Sequence, residues 1–133
     1  MANNDLTTRK VSAPAAREIK ASAHYTYVTN GITLDGTKFA AKELVLEGTC
    51  LVKDNVTKKY EKYADATGAF PAGKSEPVIL DESIRFNPDD NGNNPDVTAG
   101  QVLVHGAVYE GMLVGVTAAF KTAVGTAIRF VKG

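Results

Sequence analysis

The sequence is poor in the residues that carry most protein chemistry. Its 133 residues include one cysteine, two histidines and no tryptophan. A single cysteine forms neither an internal disulfide nor a thiolate metal site. Two histidines and one cysteine make a zinc site only if carboxylates complete the ligand set. The composition therefore excludes a domain held together by disulfides or by a cysteine-rich metal cluster.

The sequence also lacks an excess of charge and a long apolar run. Fifteen Lys and Arg residues balance fifteen Asp and Glu residues, so the formal net charge is zero. Proteins that bind nucleic acid usually carry a basic excess, because phosphate contacts dominate their affinity. No stretch has the length of a membrane span, and residues 1–20 lack the apolar core of a signal peptide. We expect a soluble protein made in the cytoplasm, with neither nucleic acid nor membrane as a partner.

What the sequence does contain, from about His24 onward, is apolar residues in alternation with polar ones. Segments of this kind recur between glycine turns, among them "KELVLEGTCLVKD", "PVILDESIRF" and "QVLVHGAVYEGML". The Asn30-Gly31 pair indicates a hairpin turn, and Gly48 indicates a bulge or bend. Residues 116–124 are the best helical candidate, with Thr117 as the N-cap. The pattern predicts a mainly β barrel or sandwich with one short helix.

Residues 1–23 have a different composition. They are polar, rich in Ala, Ser and Thr, and have no sustained apolar face. A helix that starts near Pro14 would bury little and would be marginal alone. We interpret residues 1–23 as a flexible arm that is ordered only by a partner, and residues 24–133 as the β-rich domain.

One low-complexity stretch, "NPDDNGNNPD" (residues 87–96), suggests a solvated loop or a calcium site. Asp89, Asn91 and Asp96 could supply oxygen ligands around Gly92. Aligned with an EF-hand loop, however, the sequence has Thr98 where a bidentate Glu is needed. The polar-turn interpretation is favoured, the three residues remain weak metal candidates, and no cofactor is expected.

The remaining reactive residues are not arranged as a catalytic site. His105 lies on an alternating strand without a nucleophile motif, and His24 belongs to a distant segment near the arm. We expect His105 to be a strand residue with a satisfied hydrogen bond, and Cys50 to be a small buried thiol. Asp81 and Glu82 are adjacent, so on an extended chain they point to opposite faces. These observations predict a binding or structural protein, not an enzyme.

The order of several segments resembles the head decoration (capsid cement) proteins of lambda-like tailed phages. The segments are "GTCLVKDNVTKKYEKY", "ILDESI", "AGQVLVHGAVYEGML" and "KTAVGTAIRFV", and the resemblance covers roughly residues 30–131. The third segment is similar to a hairpin of the family, and the last segment is similar to the closing segment of the family. The loop at residues 87–96 departs from the family pattern, since it resembles an insertion before the last hairpin.

The resemblance implies a small β-barrel or β-tulip-like domain that forms homotrimers. Such proteins bind the major capsid protein at three-fold positions on the capsid exterior, after assembly in the host cytoplasm. The arm would then carry the capsid contacts, and the domain would fold without residues 2–20. A carbohydrate- or host-surface-binding module with a calcium-dependent loop is the alternative. The residues expected to bind the capsid are Leu6, Arg9, Lys10, Val11, Arg17, Ile19 and Lys20.

Overall fold

The computed structural model describes residues 18–132, which form a mainly β domain with one short α-helix. The predicted fold class is therefore confirmed. The strands are β1 (Thr26–Tyr27), β2 (Ile32–Leu34), β3 (Leu44–Val45), β4 (Cys50–Asp54), β5 (Tyr60–Lys62), β6 (Lys74–Leu80), β7 (Ile84–Arg85), β8 (Val97–Ala99), β9 (Val102–Tyr109) and β10 (Ile128–Val131). The helix α1 is Ala118–Val124. No helix within residues 18–132 has the length and apolarity needed to cross a membrane.

The main sheet is curled into a half-barrel. Its strands follow the order β1-β9-β6-β4-β5-β2-β8, and β10 pairs in parallel with the end of β9. A separate two-stranded ladder joins β3 to β7. In the chain, β3 precedes β4, β5 and β6, whereas its partner β7 follows them. The fold therefore depends on pairings between distant segments.

The central strands are buried on both faces, which explains why their sequences are rich in apolar residues. On β4, Leu51 contributes to one core cluster, whereas Cys50 and Val52 contribute to the other. The first cluster is closed by Phe39 and Phe86, whose rings stack with centroids 4.7 Å apart. The sheet therefore separates two hydrophobic cores.

The second core lies under the short helix. Phe120 of α1 is fully buried there and packs edge-to-face on Tyr63, with ring centroids 5.0 Å apart. The helix begins where Thr117 Oγ1 accepts a hydrogen bond from the Phe120 amide at 3.1 Å. The predicted helix and its Thr117 cap are confirmed.

The Asn30-Gly31 turn exists, but the hairpin expected from it does not. Both residues have positive φ, and the Gly31 amide donates to the Val28 carbonyl at 3.0 Å. The flanking strands nevertheless pair elsewhere, β1 with β9 and β2 with β5 and β8. A turn motif encodes a local change of direction and does not decide which strands pair on either side of it.

The segment "QVLVHGAVYEGML" is also different from the expected hairpin, because it contains a single long strand. The partners of β9 change at Gly106, with β6 and β1 beside its first half and β10 beside its second half. Gly106 has φ of 146°, and a Cβ there would lie 3.0 Å from the Tyr25 Cβ. The glycine therefore lets residues 24–25 cross closely over β9.

We expect Gly106→Ala to destabilise the domain by about 1–3 kcal/mol, because the new side chain strains the backbone and presses on Tyr25. Gly100→Ala is the matched control, since a Cβ at that position has no neighbour within 4 Å. Urea unfolding of both variants measures the difference. Equal stability of the two variants would contradict the role given to Gly106.

Cys50 lies inside the second core, as expected for a structural thiol. Its side chain is buried, and burial raises the pKa of the thiol to about 12. Cys50 is also the only cysteine of the chain. Because the thiolate is the reactive form of cysteine, this group is inert while the domain is folded.

The shifted pKa of Cys50 predicts a loss of stability at alkaline pH. Above about pH 8.5 the thiol of an unfolded chain loses its proton, whereas the buried thiol keeps it up to about pH 12. Unfolding is therefore favoured as the pH rises, by about 2 kcal/mol between pH 8 and pH 10. Urea unfolding at both pH values should show this extra loss in the wild type and not in Cys50→Ala. An identical pH dependence in the two proteins would refute the assignment.

Candidate functional site

The described chain begins at a sheet edge, and this edge is the candidate functional site. We call residues 19–27 the edge segment. Its first part runs antiparallel to the end of β9: the Tyr109 amide donates to the Ile19 carbonyl at 2.8 Å, and the Ala21 amide donates to the Ala107 carbonyl at 2.9 Å. Lys20 forms the bridge between them, opposite Val108. The edge segment then passes over Gly106 and continues as β1.

Ile19 fastens the edge segment through its side chain. It is fully buried in the second core, in the same cluster as Val108, Phe120 and Ile128. Burial of an isoleucine side chain contributes about 1.5–3 kcal/mol. Ile19 is therefore part of the folded domain.

Lys20 fastens the same segment through charge. Its Nζ lies 2.6 Å from Asp81 Oδ2 and 3.1 Å from Glu18 Oε2. The Tyr27 hydroxyl donates to the same Asp81 oxygen at 2.5 Å. We call Lys20, Tyr27 and Asp81 the anchor triad. The Asp81 side chain is 1% exposed and that of Lys20 is 16% exposed, so the ion pair lies largely out of solvent.

The electrostatics of the anchor triad favour charged Lys20 and neutral Tyr27. Burial lowers the pKa of Lys20, but the hydrogen bonds to Asp81 and Glu18 outweigh it and leave that pKa well above its usual value. Burial, together with the hydrogen bond to Asp81, raises the pKa of the Tyr27 hydroxyl. The triad therefore keeps both of its hydrogen bonds to Asp81 throughout the neutral pH range.

These contacts correct the predicted boundary of the arm. Ile19 and Lys20 were expected to bind a partner, yet their contacts are made within the domain, because an apolar side chain and a paired lysine gain more from burial there. A deletion of residues 2–20 would remove both anchors and would therefore test folding as well as binding. The other predicted arm residues lie outside the described residues, namely Leu6, Arg9, Lys10, Val11 and Arg17.

Asp81 is the residue of the anchor triad whose role the sequence does not predict. It was considered only with Glu82 as a carboxylate pair, and the two do diverge: Glu82 accepts hydrogen bonds from the Gly100 and Gln101 amides. The sequence does contain a signal, because Asp81 directly follows the apolar run "PVIL". A charge next to a buried strand requires a partner. The residues near Asp81 in the sequence do not indicate which of the 11 lysines pairs with it.

Two of the three candidate calcium residues, Asp89 and Asp96, use their side chains for other contacts. Asp89 Oδ1 accepts hydrogen bonds from the amides of Asn91 and Asn93, which closes its own loop. Asp96 accepts from the Gly36 amide and pairs with Lys59 at 2.7 Å. Within residues 18–132 no three His, Cys, Asp or Glu side chains come together as a metal-binding group. The loop at residues 87–96 is thus held by its own hydrogen bonds and by a lysine.

A shallow cavity of about 280 Å³ lies between this loop and residues 36–41. Asn94 bridges its two walls, since its side-chain amide donates to the carbonyls of Gly36, Phe39 and Ala40. Asn94 Oδ1 is buried and has no hydrogen-bond partner within the described part of the chain. Asn94 therefore attaches the loop to the domain as a structural link.

The structure brings together the two histidines that the sequence places far apart. The rings of His24 and His105 lie edge-to-face with centroids 5.7 Å apart. His105 was expected to be a strand residue with a satisfied hydrogen bond; it lies on β9, but its ring is exposed and contacts His24. The expectation that His24 is distant was wrong, because the edge segment lies directly beside β9.

No protein-family model, no curated protein and no solved structure matches this chain. The resemblance to phage decoration proteins therefore stays a prediction.

The anchor triad predicts that Lys20 contributes far more to the free energy of unfolding than an exposed lysine in a similar ion pair. Lys20→Met leaves Asp81 buried without its cation, so we expect a loss of about 3 kcal/mol in the free energy of unfolding. Lys59→Met is the control: Lys59 also contacts an aspartate at 2.7 Å, but both side chains are more than one-third exposed. That variant should lose about 0–1 kcal/mol. Urea unfolding compares them, and similar losses would contradict the anchoring role.

Proposed function

We propose that this chain is a capsid decoration protein, a virion structural protein that stabilises the expanded head of a phage. In this proposal it binds the major capsid protein on the capsid exterior, at three-fold positions, as a homotrimer. Residues 1–17 make the capsid contacts, and no catalytic residue or cofactor takes part. The contact residues are Leu6, Arg9, Lys10, Val11 and Arg17.

The observation that carries the proposal is the anchoring of the chain directly after these residues. Ile19 is fully buried and Lys20 is paired with Asp81, so only Glu18 separates Arg17 from the first anchored residue. A contact made at Arg17 would therefore be separated from the anchored edge segment by one residue only. Such coupling is what a protein needs if binding through its terminus is to hold its whole body on a shell.

The chemistry of residues 1–17 suits a capsid surface. Arg9, Lys10 and Arg17 can pair with carboxylates, and Leu6 and Val11 supply apolar contact. A segment that adds a strand to an exposed sheet edge binds through main-chain hydrogen bonds, which tolerate varied side chains. Ordering such a segment costs entropy, so a single arm binds modestly. Three arms on one trimer raise the avidity by roughly 10² to 10⁴.

The domain itself has the features of a rigid structural body. Ion pairs connect neighbouring strands, for example Lys53 with Glu76 at 2.8 Å and Lys74 with Asp54 at 2.8 Å. Lys74 also lies 3.2 Å from Glu61, so three strands share one cluster. The charged groups of this sheet thus contribute to its cohesion, which supports a structural role over a catalytic one.

The test is a triple variant in which Arg9, Lys10 and Arg17 are changed to Gln. We expect its affinity for expanded shells of the parent phage to fall by at least about tenfold, because three charges are lost in each arm. Co-sedimentation with purified shells measures the affinity. Light scattering with and without shells gives the solution mass, for which a trimer is expected.

The matched control removes three positive charges from the domain instead, at Lys38, Arg129 and Lys132, all of which are exposed. This control should bind shells like the wild type, and both triple variants should unfold at the wild-type urea concentration. Wild-type binding by the arm variant, or an equal loss in both variants, would overturn the proposal.

A further inference from the structure

We propose that His24 and His105 form a binding site for a divalent transition-metal ion of the zinc type. The two are the only histidines of the chain, and they come from positions 81 residues apart. Their imidazole rings nevertheless lie side by side, with centroids 5.7 Å apart. This inference does not depend on the capsid-binding proposal, because it uses only residues of the edge segment and β9.

The separation of the rings matches shared coordination of one ion. With metal–nitrogen bonds of about 2.0–2.1 Å, two imidazoles on one tetrahedral ion have centroids about 5 to 6 Å apart. Without metal the ring planes are at 83° to each other, edge to face. Rotation about the terminal side-chain bond of an imidazole has broad minima, so one ring can turn its nitrogen toward the other at small cost.

The backbone fixes the positions of both histidines. His105 pairs with Thr26 across the β1–β9 ladder, and His24 lies two residues before Thr26, where the chain crosses over Gly106. The His24 amide donates to Ser22 Oγ at 3.0 Å, which orders the chain just before β1. Main-chain pairing thus attaches the chain to β9 on both sides of His24, at residues 19–21 and at Thr26, which reduces the entropy cost of binding an ion.

Both imidazoles are accessible to a ligand. Each residue is exposed, and neither ring makes a hydrogen bond or ion pair with another residue of the range 18–132. The cation of Lys20 is directed to Asp81, and its Nζ also lies 4.9 Å from the centre of the Tyr25 ring. The imidazole nitrogens thus remain available as metal ligands.

The ligand type selects the metal. Imidazole suits Zn²⁺, Cu²⁺ and Ni²⁺, whereas Mg²⁺ and Ca²⁺ prefer oxygen ligands. Two protein ligands leave about two positions of a tetrahedral zinc ion to water, so the site is weaker than a closed structural site. An ion bound there would link the edge segment to β9 and would stabilise the docked edge.

The experiment is calorimetric titration of the untagged full-length protein with Zn²⁺, with Mg²⁺ as the ion control. We expect one Zn²⁺ per chain and no comparable Mg²⁺ binding. His24→Ala and His105→Ala should each weaken zinc binding by at least about tenfold, because each removes half of the protein ligands. Amide NMR signals of residues 24–26 and 105–106 should shift with zinc in the wild type only.

A gain-of-function variant keeps the test decisive even if the alanine variants lose stability. Thr26 is exposed and lies directly opposite His105, so Thr26→His adds a third imidazole on the same face and should tighten zinc binding at least about tenfold. Thr26→Ala is its control and should bind like the wild type. Zinc binding that is equal in the wild type and in the His24→Ala/His105→Ala double variant would overturn the proposal, as would a Thr26→His variant with no gain.

Discussion

The buried ion pair between Lys20 and Asp81 is the interaction on which the arrangement of this domain depends. Asp81 follows β6 directly, and its amide donates to the Gln101 carbonyl just before β9, so the carboxylate lies where the two central strands meet. Burying a carboxylate is costly without a cation and hydrogen bonds. Lys20 and Tyr27 provide both, and they come from the two ends of the edge segment. One oxygen of this carboxylate therefore joins both ends of the edge segment to the junction of β6 and β9, and Ile19 and the main-chain hydrogen bonds to β9 complete the attachment.

Pairing and packing on both faces of the central sheet hold the described residues of this domain together. The charged side chains pair across strands, the two cores fill both faces of the sheet, and the edge segment is bound at Ile19 and Lys20. Main-chain hydrogen bonds to Ala107 and Tyr109 hold the edge segment in addition to these two side chains. Such a geometry resists separation better than a single flexible tether, because several contacts must break together.

The parts of the fold that depend on local sequence were predictable, and those that depend on distant pairing were not. Alternating apolar residues indicated the strands, and Thr117 indicated the start of α1, because periodicity and capping act within a few residues. The Asn30-Gly31 turn was found, but the partners of its strands were not. The docking of Ile19, the pairing of Asp81 and the meeting of His24 with His105 all join segments more than 60 residues apart. No pattern in a single sequence encodes such contacts.

The order of strands around β9 has a consequence for synthesis on the ribosome. Residues 107–109 lie between the edge segment on one side and β10 on the other, and the cluster that buries Ile19 also contains Phe120 and Ile128. The earliest described residues therefore acquire these neighbours only after residue 128 has left the ribosome. Until then the side chain of Ile19 lacks these neighbours, so docking of the edge segment is a late step in the folding of the domain.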